Sequence, residues 1–400
     1  MSTTTYLCCD LMTGTRLGHL PLSKVSFGSK LNGAGQFSAQ LPLGDPRLQD
    51  VDPIAATHPA RTAIYVDIDG SLVWGGIIWT RRYDRSTRTL SLSGAEMWSY
   101  FAHRHQAADY TKPPAGGVYW SAHPADPQKI AMQLIHDALL VGNSALAGMP
   151  LNVAGALTPS GDWVSPTYPV TQRQTLSAMV SMLADMGFPV GFDFAIDVAY
   201  AAGVPTLAMN FSQPRRGRTV AQSGLVLSVQ QAVQFTYPED GTSCANTVFE
   251  MATGAGGSAV EAIWVGTGAS GYPLLSNVVS HAGLTNGGTT PNAAGMLEAI
   301  ATGDLALTAY PPVAPAVTVP LFGTPTIGDY ITGDDVRVIV PRYTGIGEVP
   351  DERFPGGMDF EFRITQWDAT IADEGMSTVA FTLGIPPSEV PTQPPLISYA

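Results

Sequence analysis

Two histidines separated by one residue are the first candidates for chemistry in this sequence. His103 and His105 occur in FAHRHQ, and on a β-strand both side chains would point to one face, as two metal ligands could. No Cys, Asp or Glu stands beside them at a spacing that would complete a ligand set. We interpret the pair as a surface or interface feature, with metal binding as the alternative, and predict no bound metal.

A glycine-rich segment, VGTGASG, is the second candidate. Gly266, Gly268 and Gly271 match the G-x-G-x-x-G spacing of dinucleotide-binding loops. In those loops a helix begins at once, because its N-terminus holds the pyrophosphate. Here Tyr272-Pro273 and a β-like segment follow. We therefore predict a glycine-rich hairpin tip, and neither a nucleotide nor a flavin as cofactor.

Hydrolytic chemistry has no recognisable motif in this chain. The sequence contains neither a G-x-S-x-G nucleophile elbow nor an H-E-x-x-H helix. Two acid pairs, Asp67 with Asp69 and Asp334 with Asp335, lie beside predicted turns, where carboxylates accept backbone hydrogen bonds. The sequence thus predicts no catalytic, cofactor-binding or metal-binding residue, and a protein that is not an enzyme.

The charge balance argues against a nucleic-acid-binding surface. The 400 residues include 33 acidic and 20 basic side chains, for a net charge of −13. Phosphate binding requires clustered Lys and Arg. The one basic cluster, Arg215-Arg216-Gly217-Arg218, is interpreted as a solvated loop.

Cysteine usage and hydropathy favour assembly in a reducing cytoplasm. Cys8, Cys9 and Cys244 form neither a disulfide framework nor a Cys-x-x-Cys pattern. No apolar segment reaches the ~18–20 residues of a membrane span, and the N-terminus has no signal-peptide pattern. We therefore expect no stable membrane insertion.

The clearest structural signal is a β-meander between Ala63 and Tyr100. Asp69-Gly70 predicts a tight hairpin, because both positions of such a loop must accept a positive φ. Gly75-Gly76 is interpreted as a further break. The predicted strands are Ile64–Ile68, Leu72–Trp74, Ile77–Tyr83 and Arg88–Ser93.

A similar arrangement recurs near the end of the sequence. Strands are predicted at Asp335–Val340, Met358–Ile371 and Thr378–Leu383, and the return strands end alike, with TLSLSG early and VAFTLG late. We interpret the two segments as a duplicated small antiparallel barrel. The alternative is that any two β-hairpins share such features.

The hydrophobic period changes to 3.6 between the two β-regions and then returns to two. It predicts helices near 127–141 and 172–186, the first beginning at Pro127 and the second ending before Gly187. The expected organisation is a first barrel over 1–105, an α/β insertion over 106–190, a return and crossover over 191–240, and a second barrel over 241–400 with a helix near 291–302 and a Pro-rich tail. The predicted fold class is α+β and β-rich, with two related barrels and one insertion.

Together these segments resemble a known family. GAGQFSAQLPL, VWGGIIWTRRYDRSTRTLSLSGAEMWSYFAHR, TIGDYITGDDVRVIVP and FRITQWDATIADEGMSTVAFTLG are similar to the minor tail proteins that form the tail hub of long-tailed phages, especially phages of actinobacteria. The resemblance covers residues 1–105 and the segment from Thr326 onward best. It implies a hub fold with two related barrels, similar to baseplate hubs and secretion-system spikes, and it carries over no catalytic residue.

The resemblance also implies a location and partners. It implies a virion protein at the tail tip, assembled in the host cytoplasm, that joins a six-fold tail tube to the distal tip or fibre. Implied partners are a distal tail protein, a tape measure protein, central tip or fibre proteins and DNA passing through the lumen. Two barrels per chain match six-fold symmetry as a homotrimer. One alternative is a receptor- or glycan-binding tail protein, in which Trp120, Trp163 and Trp264 would contact the ligand. The other is an enzyme, either a tail-associated hydrolase that cleaves glycans or a nucleotide-using enzyme.

Overall fold

The protein is rich in β-strands and has few helices. The structure is a computed structural model that describes residues 3–106, 126–140, 151, 168, 171, 173–185, 191–213, 215–253, 259–266, 272–282, 301, 304–305, 308–309, 313–342 and 351–384. The strands before the helices are β1 (Thr4–Asp10), β2 (Arg16–His19), β3 (Ser23–Lys30), β4 (Gln36–Pro42), β5 (Thr62–Ile68), β6 (Ser71–Asp84) and β7 (Thr89–Glu96). The helices are α1 (Pro127–Leu140), α2 (Leu176–Asp185) and the short α3 (Val220–Ser223).

The remaining strands follow α2 in the sequence. They are β8 (Asp193–Ala201), β9 (Val204–Ser212), β10 (Val226–Ser228), β11 (Gln234–Thr236), β12 (Thr247–Thr253), β13 (Ala259–Gly266), β14 (Ser276–Ala282), β15 (Ala316–Pro320), β16 (Asp335–Val340), β17 (Met358–Ile371) and β18 (Thr378–Gly384). The helix expected near 291–302 falls almost entirely outside the described residues.

The Asp-Gly hairpin is present, but the meander that follows it differs from the prediction. Asp69 and Gly70 both have a positive φ, 53° and 86°, as the tight turn requires. The predicted break at Gly75-Gly76 is wrong, because β6 runs through both glycines as one strand of 14 residues. The glycines allow close packing instead of a turn. A Cβ on Gly76 would lie 2.2 Å from the Trp74 ring and 2.4 Å from the Ala95 carbonyl oxygen.

Strands from the two ends of the chain have the same neighbours within one large sheet. In the early unit, defined as β1–β7, the pairing order is β3-β4-β7-β6-β5-β1, with β2 beyond β1. In the late unit, defined as β10, β11 and β15–β18, the order is β11-β15-β18-β17-β16-β10. The last pair departs from the correspondence, since β10 is parallel to β16 whereas β1 is antiparallel to β5.

The two units are continuous with each other. The second half of β17 pairs with β3, so that 13 strands belong to one sheet whose described pairings close no ring. The prediction of two separate small barrels is therefore not confirmed. The physical reason is a shared core: the Phe27 ring from β3 lies 6.0 Å from Trp74 of the early unit and 5.9 Å from Trp367 of the late unit.

A β-bulge at the same place in both units sets their residue correspondence. The β6–β7 register shifts between Ile78 and Thr80, and the β17–β18 register shifts between Ile364 and Gln366. Thr89 therefore corresponds to Thr378, not to Val379 as the similarity of TLSLSG to VAFTLG suggested. The same alignment matches Pro42 with Pro320 at the ends of β4 and β15.

The helices pack together on a separate hydrophobic cluster. Buried side chains of α1 and α2, such as Leu134 and Met179, belong to this cluster. They pack with aromatic residues of β8, β9 and the segment after β7, namely Phe194, Phe211 and Phe101. The hairpin β8–β9 thus stands between the helices and the early unit. A third sheet has the order β13-β12-β14. In the described residues no helix has the length and apolar character needed to cross a membrane.

Replacement of Gly76 by alanine should destabilise the fold by about 1–3 kcal/mol, the usual cost of overpacking a dense interior. The added methyl group would collide with the Trp74 ring and with backbone of β7. Urea unfolding followed by tryptophan fluorescence measures the change. Gly44→Ala is the matched control, because no atom lies within 4 Å of its added Cβ, and an equal loss in both variants would contradict this account.

Candidate functional site

A buried carboxylate, Asp193 at the start of β8, joins four parts of the chain. Its Oδ2 accepts hydrogen bonds from the Arg216 backbone N–H at 2.6 Å and from the Arg363 guanidinium of β17. Its Oδ1 accepts a hydrogen bond from Asn32 Nδ2 at 3.1 Å, in the turn between β3 and β4. The Arg363 and Asp193 side chains are only 9% and 8% exposed. An ion pair at this depth is stable only when further hydrogen bonds satisfy both partners, as they do here.

Three further ion pairs surround this carboxylate. Arg215 pairs with Asp335 at 2.7 Å, Arg216 with Asp197 at 2.6 Å, and Arg218 with Asp334 at 2.6 Å. Each arginine donates to both carboxylate oxygens of its partner, and this forked geometry fixes orientation as well as distance. We call the four ion pairs the arginine junction.

The arginine junction contradicts the interpretation of residues 215–218 as a solvated loop for Arg215 and Arg216, whereas the Arg218 side chain is 46% exposed. Arg216 is 8% exposed and Asp334 is fully buried. Gly217 contributes its backbone shape, since its φ is +92° and a Cβ there would lie 2.2 Å from the Gly333 carbonyl. The sequence signal for this pairing is the acid pair Asp334-Asp335 of the late unit, which supplies the partners of Arg218 and Arg215.

A cleft of about 810 Å³ lies beside the arginine junction, between the early unit, β8 and the segment 322–332. Glu96, at the end of β7, is one of its polar lining residues. The Glu96 carboxylate accepts hydrogen bonds from the backbone N–H groups of Gly35 at 2.6 Å and Lys30 at 3.3 Å. Burial raises the pKa of Glu96 to about 7, although these hydrogen bonds and the charge of Arg216 oppose the shift.

The remaining acid pair, Asp67 with Asp69, serves the fold. Asp67 accepts a hydrogen bond from the Gly70 N–H at 2.8 Å within the hairpin, and another from the Tyr200 hydroxyl of β8 at 2.7 Å. Asp69 accepts one from the Thr3 N–H at 2.7 Å. The turn role predicted for these carboxylates is thus observed, together with a link to β8 that the sequence pattern did not indicate.

The structure separates the other residues considered for chemistry. The His103 ring lies 4.2 Å from the Trp79 ring, and His105 forms a β-bridge with Thr175. Within the described residues no group of three or more His, Cys, Asp or Glu side chains could hold a metal ion. Burial raises the pKa of the Cys8 and Cys9 thiols, which disfavours the nucleophilic thiolate form.

Two of the sequence-level candidates extend beyond the described residues. Gly266 ends β13, while Gly268 and Gly271 lie outside the described residues, and the next described element is the strand β14. The structure likewise describes neither Trp120 nor Trp163, nor the side chain of Trp264.

Replacing Asp193 by alanine should lower the free energy of unfolding by about 3–5 kcal/mol, because the buried Arg363 guanidinium would lose its carboxylate partner. Denaturant unfolding measures the loss. Asp359→Ala is the matched control, since Asp359 also forms a two-pronged pair with an arginine, Arg337, but on the surface. A comparable loss in the control would contradict the importance assigned to burial.

Stability should fall as pH rises from about 4.5 to 7 through the titration of Glu96. In this window the unfolded state has released the proton that the folded state still holds, so raising the pH favours unfolding. The Glu96→Gln variant cannot titrate and should lack this component. The measurement is the difference in unfolding free energy between the two proteins at several pH values; a difference independent of pH would refute the assignment.

Comparisons with known proteins find similarity in structure and not in sequence. No protein-family model matches the chain, and no curated protein sequence matches it. The fold is similar to the tail protein from Neisseria meningitidis MC58, with a TM-score of 0.55 and 15% identity over 95% of this chain and 96% of that one.

Two other solved structures have the same extent of likeness. A 43 kDa tail protein of prophage MuSo2 from Shewanella oneidensis has a TM-score of 0.57 and 14% identity over 96% of this chain and 99% of that one. The prophage tail protein gp18 from Listeria monocytogenes EGD-e has a TM-score of 0.50 and 9% identity over 94% of each chain. At these identities the comparison establishes the fold: this chain has the fold of phage tail proteins.

Proposed function

We propose that this protein is a structural component of a phage tail, and that it forms the hub at the tail tip. The observation that carries the proposal is the extent of the fold likeness, which spans at least 94% of this chain in each of three tail proteins. A fragment shared by unrelated proteins would not produce a match along at least 94% of both chains.

The internal correspondence of the two units supports a ring of three chains. Each chain contributes two units with the same pairing order, so a homotrimer presents six similar units to a six-fold tail tube. In this role the chain joins the tube to the distal tip or fibre. Its proposed partners are the distal tail protein, the tape measure protein and the central tip or fibre proteins.

The enclosed channel would conduct the genome during ejection. A net charge of −13 favours a lumen that repels phosphate, so that DNA passes without binding. The arginines at 215, 216, 218 and 363 are paired with carboxylates and therefore add little to a phosphate-binding surface.

The domain organisation proposed for this role follows the sequence boundaries with one change. Residues 1–105 supply the first ring unit, and 106–190 form an insertion on its outside. The segment 191–240 connects the units and adds β10 and β11 to the second ring unit, whose other strands, β15–β18, come from 241–400. The role is structural, without catalysis. We propose that the chain is assembled in the host cytoplasm and resides in the virion.

The purified chain should form a trimer at micromolar concentration, with about three times the chain mass of 42.1 kDa. Light scattering after size-exclusion chromatography measures the mass, and negative-stain images should show rings with a central opening. A mass corresponding to one chain or to six chains would contradict the hub proposal. Addition of the tail tube protein from the same phage should produce short tubes capped at one end.

A further inference from the structure

The seam between the two units inside one chain has a defined register. In it β17 runs antiparallel to β3, with Gln366 opposite Lys30 and Thr370 opposite Ser26. The Leu31 N–H donates to the Thr365 carbonyl at 2.9 Å just beyond this ladder. This bond makes Leu31 and Thr365 a hydrogen-bonded pair. Hydrogen-bonded and non-hydrogen-bonded pairs alternate in an antiparallel ladder, so Lys30–Gln366 and Ser26–Thr370, one and five positions along it, are both non-hydrogen-bonded pairs.

The seam inside the chain joins β3 of the early unit to the second half of β17 of the late unit. The equivalent of each of these strands in the other unit is also a sheet edge. The late unit's equivalent of β3 is β11, whose described pairing is with β15 alone. The early unit's equivalent of the second half of β17 is the segment Thr80–Asp84 of β6, whose described pairing is with β7 alone. The correspondence between the units therefore predicts a second seam between these two edges, β11 and Thr80–Asp84.

The residue correspondence carries the register from the known seam to the new one. Ser26 pairs with Ser38, and Thr236 pairs with Ala316, at equivalent places in β4 and β15. Thr236 therefore corresponds to Ser26, and the shared bulge makes Asp84 correspond to Thr370. The predicted opposite pairs are Thr236 with Asp84, Tyr237 with Tyr83, Pro238 with Arg82, Glu239 with Arg81, and Asp240 with Thr80.

The side chains at the two edges are complementary. One edge carries Arg82 and Arg81, whose guanidinium donates to the Ile54 carbonyl at 2.6 Å. The other carries Asp240 and Glu239, which is also the partner of Arg353 at 2.8 Å. Tyr83 is 53% exposed in the single chain, whereas Ala369, its equivalent in the late unit, is fully buried in the existing seam. A strand laid against β6 would cover the Tyr83 ring and bring opposite charges together.

Pro238 fits the proposed register. It corresponds to Gly28, which lies opposite Asp368, between the two non-hydrogen-bonded pairs already named. By the same alternation, the pair at Gly28 is also non-hydrogen-bonded. A proline there removes no hydrogen bond of the seam, because its nitrogen faces away from the partner strand.

We propose that β11 and the residues after it, through Asp240, add as an antiparallel strand to the Thr80–Asp84 edge of β6 in a second copy of this chain. The seam inside one chain is thereby repeated between chains, and the sheet continues around the assembly. The proposal rests on the proposed ring of three chains and specifies the surfaces that close it.

Disulfide cross-linking tests the register in a Cys244→Ser background. Thr236→Cys combined with Asp84→Cys should give covalent dimers and trimers on oxidation, because a non-hydrogen-bonded pair brings the Cα atoms to ~4.5 Å, within disulfide range. Asp240→Cys with Thr80→Cys should do the same and guards against a folding defect in the first pair. Thermal unfolding by circular dichroism verifies that each variant is folded.

Two control variants use positions from the same ladders. Ser26→Cys with Thr370→Cys lies in the existing seam and should cross-link within a single chain. Thr236→Cys with Thr80→Cys should remain unlinked, since four residues of strand separate these positions by ~13 Å in the proposed register.

The outcomes separate this proposal from the proposed function. A solution trimer whose Thr236–Asp84 and Thr80–Asp240 variants stay unlinked, while Ser26–Thr370 links, would overturn the seam and leave the ring intact. Cross-linking within one chain at 236 and 84 would also overturn it. A protein that remains monomeric at every concentration would overturn both.

Discussion

The buried Asp193–Arg363 ion pair is the interaction on which the relative placement of the chain's segments depends. Arg363 belongs to the long strand of the late unit, Asp193 to the hairpin beside the helices, and Asn32 to a turn of the early unit. Leaving any of these buried polar groups unpaired costs more than an ordinary surface contact could recover. The constraint is therefore one of specificity: the segments must meet in this arrangement for the charge to be satisfied.

Close backbone contact at the seam between the units adds a steric constraint to this electrostatic one. A Cβ on Gly28 would lie 2.2 Å from the Asp368 carboxylate and 2.6 Å from the Trp367 carbonyl oxygen. The Gly28 carbonyl accepts a hydrogen bond from Trp74 Nε1 at 2.7 Å, so the largest buried ring of the early unit is oriented by the strand that joins the units. The aromatic core and the sheet pairing consequently depend on each other.

The correspondence between the units also accounts for features that are unusual in either unit alone. The long strands β6 and β17 have a β-bulge at the same point. The equivalent strands β4 and β15 both end at a proline. Where the correspondence fails, the surroundings differ: β10 approaches β16 in the parallel sense, next to the arginine junction. The geometry that the two units share thus lies along the seam, and they differ where they meet the rest of the chain.

Local patterns in the sequence determined many of the elements, because turns and periodicity are properties of neighbouring residues. The positive φ required at Asp69-Gly70 fixed the first hairpin, and the strand predicted over Met358–Ile371 has the observed ends of β17. The Gly75-Gly76 break was wrong because a glycine pair permits a turn and a close contact equally, and only the position of Trp74 decides between them. Likewise, Arg216 was interpreted as solvated because its partner Asp197 belongs to another element, and no local pattern indicates that Arg363 pairs with Asp193. The tertiary structure alone decided that these charges are buried and that the two β-units form one sheet, because both depend on contacts between different elements. Arg216 and Asp197 are 19 positions apart, Arg363 and Asp193 are 170 apart, and Trp367 pairs with Ser29 from the other end of the chain.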